Sequence, residues 1–193
     1  YLNDEGYTNE ILNGDIHTAN QKLAGLESRD QAKTFIYALL YGAGDAKLGS
    51  VAARGRAGGK QLRQSFFDNL PSFKALTGRV QREAKSGFVK ALDGRKLTVR
   101  SDHAALNTLL QGAGAIVMKQ ALIILDQKIK KHGWDAKFVA NVHDEWQIEC
   151  HVDDAVDVGK AGVQAIREAG CMLNLNCPLD GEYKVGDNWS ETH

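Results

Sequence analysis

Prolines number only two in 193 residues, and with 43% hydrophobic residues this fits a folded globular protein rich in helix. The three cysteines, Cys150, Cys171 and Cys177, are odd in number and form no metal-type pair. That argues against a disulfide framework and for free thiols in a reducing compartment. No apolar run approaches the ~20 residues a membrane span needs, and no secretory signal opens the chain. Internal repeats, low-complexity tracts and Pro/Ser-rich linkers are absent too, so composition marks no domain boundary. The length suits one well-buried domain or two small ones sharing a core. The chain starts at Tyr1 and is expected to be a fragment or a processed product.

Net charge is zero, yet its distribution is lopsided. Residues 1–143 carry 21 Lys+Arg against 13 Asp+Glu, a balance of +8, and residues 144–193 carry 3 against 11, a balance of −8. Residues 45–100 alone hold 13 basic and 4 acidic side chains. A basic middle and an acidic end can bind a polyanion on one surface and cations on another, or be two solvated faces that differ.

Periodicity predicts a helix over 9–25 and a second from Ser28 to Tyr41, stopping at Gly42. Ser28-Arg29-Asp30-Gln31 is a capping box at its start. Gly-rich stretches at 42–49 and 55–59 separate shorter helical pieces, and another helix follows Pro71 over 71–86. Residues 88–100 read as a hairpin, with Asp93-Gly94 signalling a type I′ turn. A long helix is expected at 104–131 and a second hairpin at 137–150 with its tip at His143-Asp144-Glu145. A helix at 153–169 and a short strand at 179–186 complete the chain. Strands and helices that do not alternate regularly imply an α+β fold with an antiparallel sheet.

Arg29, Lys33, Tyr37 and Tyr41 stand four apart on the second helix and share a drifting stripe. Ala32, Phe35, Ile36 and Leu39 form a separate apolar face. Cations suit a triphosphate and a flat ring suits a base or sugar. By spacing alone, an amphipathic helix with snorkelling Arg and Lys also accounts for the stripe. The string RDQAKTFIYALLYGAG (29–44), however, resembles motif B of family A (Pol I-type) DNA polymerases, Arg-x3-Lys-x3-Phe/Tyr-x3-Tyr-Gly, the helix of the fingers. The resemblance implies that Arg29 and Lys33 grip the incoming nucleotide's phosphates and that Lys33 also protonates the departing pyrophosphate. It implies that Tyr37 stacks on sugar and base, tolerating sugars without a 3′-hydroxyl, and that Tyr41 and Gly42 lie near the templating base. GDIHT (14–18) is similar to a family block with a phosphate-binding histidine, which would be His17.

Val142-His143-Asp144-Glu145 sets two adjacent carboxylates at a hairpin tip, tolerable if exposed or if a divalent cation neutralises them. A polar turn explains it equally in isolation. Placed where it is after motif B, it resembles the family's motif C. That implies Asp144 as metal ligand for Mg2+, Glu145 as a weaker or indirect participant, and His143 against the primer terminus. His103, Asn107 and Gln111 recur at i, i+4 and i+8 on the next helix. A row of such groups suits the minor groove, where acceptor positions are nearly independent of sequence, and a solvated polar face would look the same. RSDHAALNTLLQGAGA (100–115) is similar to the family block whose Asn and Gln contact template and primer, although Arg often stands where His103 does. Arg100, with Arg79, Arg82, Lys85, Lys90, Arg95 and Lys96, would meet duplex phosphates.

The resemblance covers nearly the whole chain, including the end YKVGDNWSETH, and leans to the bacteriophage replicative branch. It implies the helical fingers of a right-hand polymerase over 1–100, carrying the nucleotide-binding helix 28–42. It implies a palm portion over 101–193, carrying the catalytic hairpin 137–150. It further implies primer-template DNA and dNTP as partners, two Mg2+ ions in the complete site, and a cytoplasmic location, the host's if phage-encoded. Lys33's helix and Asp144's loop are then expected to close around a common point. The family's motif A, an Asp-x-Ser-x2-Glu-like strand with the other metal-binding Asp, has no counterpart in YLNDEGYTNEILN (1–13), and thumb and exonuclease are missing as well. The chain is accordingly expected to be the C-terminal part of a polymerase, inactive alone and completed by an N-terminal remainder. The alternatives are a nucleotide- or DNA-binding half without catalysis, and a metal-dependent hydrolase using His143 and Asp144. The last lacks a second His-Asp pair and leaves the helix stripe unexplained.

Overall fold

The computed structural model describes residues 1–192, which form two compact units. The first comprises Tyr1–Ala91 and Arg95–Leu110, the second Leu92–Gly94 and the chain from Gln111 onward.

In the first unit six helices precede a small hairpin: α1 (Glu5–Asn13), α2 (Ile16–Ala24), α3 (Arg29–Leu40), α4 (Asp45–Val51), α5 (Gly55–Asn69) and α6 (Pro71–Ala84), then β1 (Phe88–Lys90) and β2 (Lys96–Thr98). The helix expected over 9–25 is two helices. Gly14 and Asp15 are extended, and the Asp15 carboxylate caps α2 by accepting from the His17 amide at 3.1 Å. A short acidic side chain that bonds the next turn's backbone competes with helix continuation and wins here. The α1 helix begins earlier than its periodicity suggests because Asp4 caps it, accepting from the Tyr7 amide and from the Ser72 hydroxyl of α6 at 2.7 Å. Its Tyr7 hydroxyl donates to the buried Asn20 Oδ1 at 2.9 Å, joining α1 to α2.

Ser28 caps α3 as expected, accepting from the Gln31 amide, and the Gln31 side chain reaches back to the amide of Glu27. Ala32, Phe35, Ile36 and Leu39 are buried, so the apolar face read from the sequence is the face that packs. Phe35 meets Phe66 of α5 edge-on at 5.8 Å, and Phe66 meets Phe73 of α6 at 5.3 Å. The α4 and α5 helices cross on bare backbone. A Cβ at Gly49 would overlap the Gly55 carbonyl and the Gly59 amide, and one at Gly59 would overlap the Asp45 carbonyl. The β1–β2 turn is a three-residue loop, Leu92-Asp93-Gly94, closed by the Ala91 amide donating to the Arg95 carbonyl at 2.9 Å. Only Gly94 of the three has positive φ, at 85°, so the expected type I′ turn, which needs it at two adjacent residues, is not formed.

A 3₁₀ turn (Asp102–Ala104) leads into α7 (Ala105–His132), whose last residues of the first unit include buried Ala105, Leu106 and Leu109. By length and composition α7 could cross a membrane, which the sequence reading did not anticipate. Those of its apolar residues that are buried serve the cores: further along, in the second unit, Ala121, Ile124, Leu125 and Ile129 pack with Ala165 and Ala169 of α8 (Ala155–Met172), while Ile123 is exposed. Lys128 of α7 pairs with Glu168 of α8 at 3.0 Å. The strands β3 (Ala136–Val142) and β4 (Glu145–Cys150) form an antiparallel hairpin laid on this core through Phe138, Trp146 and Ile148. The expected strand at 179–186 does not form. The segment lies along α8, where Cβ atoms at Gly159 and Gly170 would meet the Tyr183 ring and Leu179, while Arg167 grips Asp180 through Nε and Nη2 at 3.0 and 3.2 Å. Small residues on a helix face offer that segment a groove. The four-residue helix α9 (Trp189–Thr192) follows.

Gly49→Ala is expected to cost about 1–3 kcal/mol or more, because backbone atoms must move apart. Gly44→Ala, at the N-cap of α4 with φ −73° and no atom within 4 Å of the new Cβ, should cost less than about 1 kcal/mol, the difference between glycine and alanine as N-cap. Urea unfolding followed by circular dichroism separates the two. Several carboxylates are held below their usual range: Asp4 by the Ser72 hydroxyl, Asp68 by Gln64, Glu168 by Lys128, and Asp180 by the Gly181 amide and Arg167. Their folded pKa lies below the unfolded one, so their contribution is complete above about pH 4–4.5 and disappears as pH falls further. Thermal midpoints should therefore be insensitive to these groups from pH 5 to 8 and fall below pH ~4. Asp4→Asn should flatten that fall.

Candidate functional site

The groups singled out on α3 face solvent. Arg29, Lys33, Tyr37 and Tyr41 are all exposed, the two tyrosines by 49% and 58%. Two exposed phenols beside two cations on a helix whose other face is fully packed make a surface suited to a ligand with anionic and flat parts. The α2 helix brings a further group to it: the His17 ring lies 6.5 Å from the Tyr37 ring, tilted at 51°. His17 Nδ1 is enclosed with no hydrogen-bond partner, which leaves Nε2 as the nitrogen that can meet a ligand. Lys33 has no ion pair among the described residues. Arg29 does, donating from Nε to Asp15 Oδ2 at 2.7 Å. The Arg29 guanidinium and the Thr18 hydroxyl, also on Oδ2, together hold the Asp15 carboxyl far below the ordinary carboxylate range.

At the other end of α3 the backbone turns at Gly42 with φ +80°. A Cβ there would overlap the His103 carbonyl oxygen, so glycine is required both by the dihedral and by the close approach. This places Tyr41, Gly42 and His103 together in the first unit. Arg63 of α5 fixes the same turn, donating to the Ala43 carbonyl at 2.8 Å and pairing with Asp45 at 3.0 Å. His103 sits in the 3₁₀ turn and not on α7, so the expected stripe with Asn107 and Gln111 begins one element late: only Asn107, half-buried, and Gln111, exposed, stand one turn apart on α7. Arg100 and the other basic side chains of α6 and the β1–β2 hairpin are exposed, and Lys96 Nζ lies 4.3 Å above the Phe88 ring.

In the second unit the hairpin tip is two residues, His143 and Asp144, flanked by the Val142–Glu145 pair. His143 takes φ +53°, a costly conformation for a residue with a Cβ. A bulge at Val139, which has no partner between the Phe138–Ile148 and Ala140–Gln147 pairs, bends the strand leading to the tip. The two carboxylates expected side by side at the tip differ in setting. Asp144 is exposed; Glu145 is the half-buried first residue of β4. Glu145 Oε1 accepts from Gln147 Nε2 at 2.5 Å and from Trp189 Nε1 at 3.3 Å, and the Thr192 hydroxyl bonds Gln147 Oε1 at 2.9 Å. The C-terminal turn thus holds one carboxylate while the other faces outward. The bonds from Trp189 and Thr192 were invisible in the sequence, since their partners lie more than forty residues away. Asp15 lies within GDIHT (14–18), inside the single helix expected over 9–25, and only the break before α2 reveals it as a cap.

Among the described residues no three His, Cys, Asp or Glu side chains converge as a metal cage. Asp144 and Glu145 nevertheless supply hard oxygen donors of the kind magnesium takes, and magnesium commonly uses one or two carboxylates and completes its shell with substrate phosphate and water. The donor set fits that ion as part of a site.

The family model described as DNA polymerase family A matches residues 8–191. The chain is 46% identical to the DNA-directed DNA polymerase of Enterobacteria phage T3 and 45% identical to that of Escherichia phage T7, in each case over 97% of this chain and 30% of the relative. It is 33% identical to DNA polymerase I of Aquifex aeolicus over 86% of this chain and 30% of that protein. The chain therefore spans about a third of the length of the curated relatives it matches. Its fold resembles the polymerase domain of Pol1 from M. smegmatis, solved in complex with DNA primer-template and dNTP: TM-score 0.77, 23% identity, 87% of this chain and 34% of that one. With a match along almost its entire length and greater identity to the phage proteins than to the bacterial one, the chain belongs to DNA polymerase family A.

Proposed function

We propose that this chain is the fingers and distal palm of a template-directed DNA polymerase. The observation that carries the reading is the exposed α3 face of Arg29, Lys33 and Tyr37 with the His17 ring beside it, in a chain that matches the family from residue 8 to residue 191. Arg29, Lys33 and His17 would hold the triphosphate of an incoming dNTP, and Tyr37 would stack on its sugar and base. Tyr41, Gly42, Arg100, His103, Asn107, Gln111 and His143 would meet template and primer. Asp144, supported by Glu145, would hold magnesium.

In the transfer, the primer 3′-hydroxyl gives its proton to water and its oxygen forms a bond to the α-phosphorus while the bridging bond to the β-phosphate breaks. The departing pyrophosphate takes a proton from Lys33. When bound, two divalent ions would lower the pKa of the primer hydroxyl and neutralise charge on the leaving group. This chain's own share is to fix the triphosphate, supply the proton and contribute Asp144. The complementary aspartate would come from the N-terminal remainder. A second reading, a nucleotide- or DNA-binding half without catalysis, draws on the absence of a third metal donor among the described residues.

Incubated alone with primed template, Mg2+ and dNTPs, the chain should give no extension; adding a separately expressed segment that carries motif A should restore it. Robust extension by the chain alone would overturn the split reading, and no restoration would favour the binding reading. In the restored enzyme, Lys33→Ala should lower kcat by about 10²–10⁴-fold, the range of general acid catalysis. Tyr37→Phe should raise discrimination against dideoxynucleotides roughly tenfold or more, the worth of one lost hydrogen bond, measured as a ratio of kcat/KM values.

A further inference from the structure

The geometry points to Asp15 as a positioning residue that sets the plane of the Arg29 guanidinium for an anionic ligand; this rests on the reading of Arg29 as a phosphate-binding group. Three donors converge on the one carboxylate. The His17 amide donates to Oδ1 at 3.1 Å, while the Thr18 hydroxyl and Arg29 Nε share Oδ2 at 2.8 and 2.7 Å. Two of those bonds belong to the start of α2, so the carboxylate cannot swing away without uncapping the helix that carries His17.

The bond to Arg29 is made from Nε, the inner nitrogen. A guanidinium held there has its plane fixed, yet it keeps its terminal nitrogens, which have no other hydrogen-bond partner among the described residues. That outer edge is the one that grips a phosphate with two parallel hydrogen bonds. Arg29's side chain is 53% exposed and would otherwise sample several rotamers. Holding it beforehand removes an ordering cost from binding. A single carboxylate thereby registers both His17, through its amide, and Arg29, through its side chain, against the Tyr37 ring that His17 approaches.

Placing an anion beside a phosphate site ought to weaken binding if only charge mattered, and this gives the test its direction. Titrate the whole chain with sodium tripolyphosphate by calorimetry at low salt. Arg29→Met should weaken binding about tenfold, the worth of a charge-assisted hydrogen bond. Asp15→Ser keeps a helix-capping hydroxyl, deletes the anion and cannot reach Arg29; it should weaken binding several-fold. Asp15→Asn, whose single amide oxygen can accept from Nε only by giving up the His17 amide, should recover part of that loss. If Asp15→Ser binds as well as or better than the parent while Arg29→Met is weak, the positioning role is wrong and the phosphate reading stands. If tripolyphosphate does not bind, or binds regardless of Arg29→Met, the phosphate reading itself fails. A measurement on the unmutated chain is independent of variant folding: the Arg29 Nε–H resonance should keep its carboxylate-bonded shift at tripolyphosphate saturation while the terminal N–H signals move. Loss of that shift would make Asp15 a competitor displaced by the ligand and would overturn the inference.

Discussion

The edge-to-face contacts of Phe35 with Phe66, and of Phe66 with Phe73, are what the first unit depends on. A helix that shows two cations and two phenols to water has no reason of its own to stay in one place. Its stability comes from the opposite face, where Ala32 and Phe35 are wholly buried and Ile36 and Leu39 nearly so. Pinning three helices through three rings leaves the outward stripe free to serve a ligand without loss of packing. The bare-backbone crossing of α4 and α5 at Gly49 and Gly59 serves the same end. It lets α5 come close enough for Arg63 to tie the Ala43 carbonyl and Asp45, and so to set the turn at Gly42.

Both units set a polar group held by hydrogen bonds beside an exposed one. On α2 and α3, Asp15 is saturated with donors and Arg29 is oriented by it, while Lys33 faces solvent. On the β3–β4 hairpin, Glu145 is held by Gln147 and Trp189 while Asp144 stands exposed at the tip beside a His143 in a strained dihedral. The charge asymmetry along the chain fits this division, because all 13 basic residues of the 45–100 segment lie in the first unit and the acidic end in the second.

The α3 helix, both hairpins and the long α7 were legible because each announces itself within a few residues: a capping box, an Asp-Gly turn, alternating apolar residues, a sustained apolar period. Motif B could be read for the same reason, since spacing of four on one helix already places side chains together. The break between α1 and α2 was not, because apolar periodicity continues through Gly14 and Asp15, and a cap outweighs it only once its hydrogen bonds form. Residues 179–186 looked like a strand for their extended pattern, but extension alone does not choose a partner, and the small-residue face of α8 took the segment.

By itself, then, the sequence determined α3, both hairpins, the long α7, the family and the candidate residues, because those follow from local geometry and from strings of contiguous residues. Only the tertiary structure decided how each group is held. Asp15 finds Arg29 across 14 positions, Trp189 finds Glu145 across 44, and the Gly42 turn meets the His103 carbonyl. Such contacts are selected by the packing of whole helices, and no spacing rule along the chain encodes them.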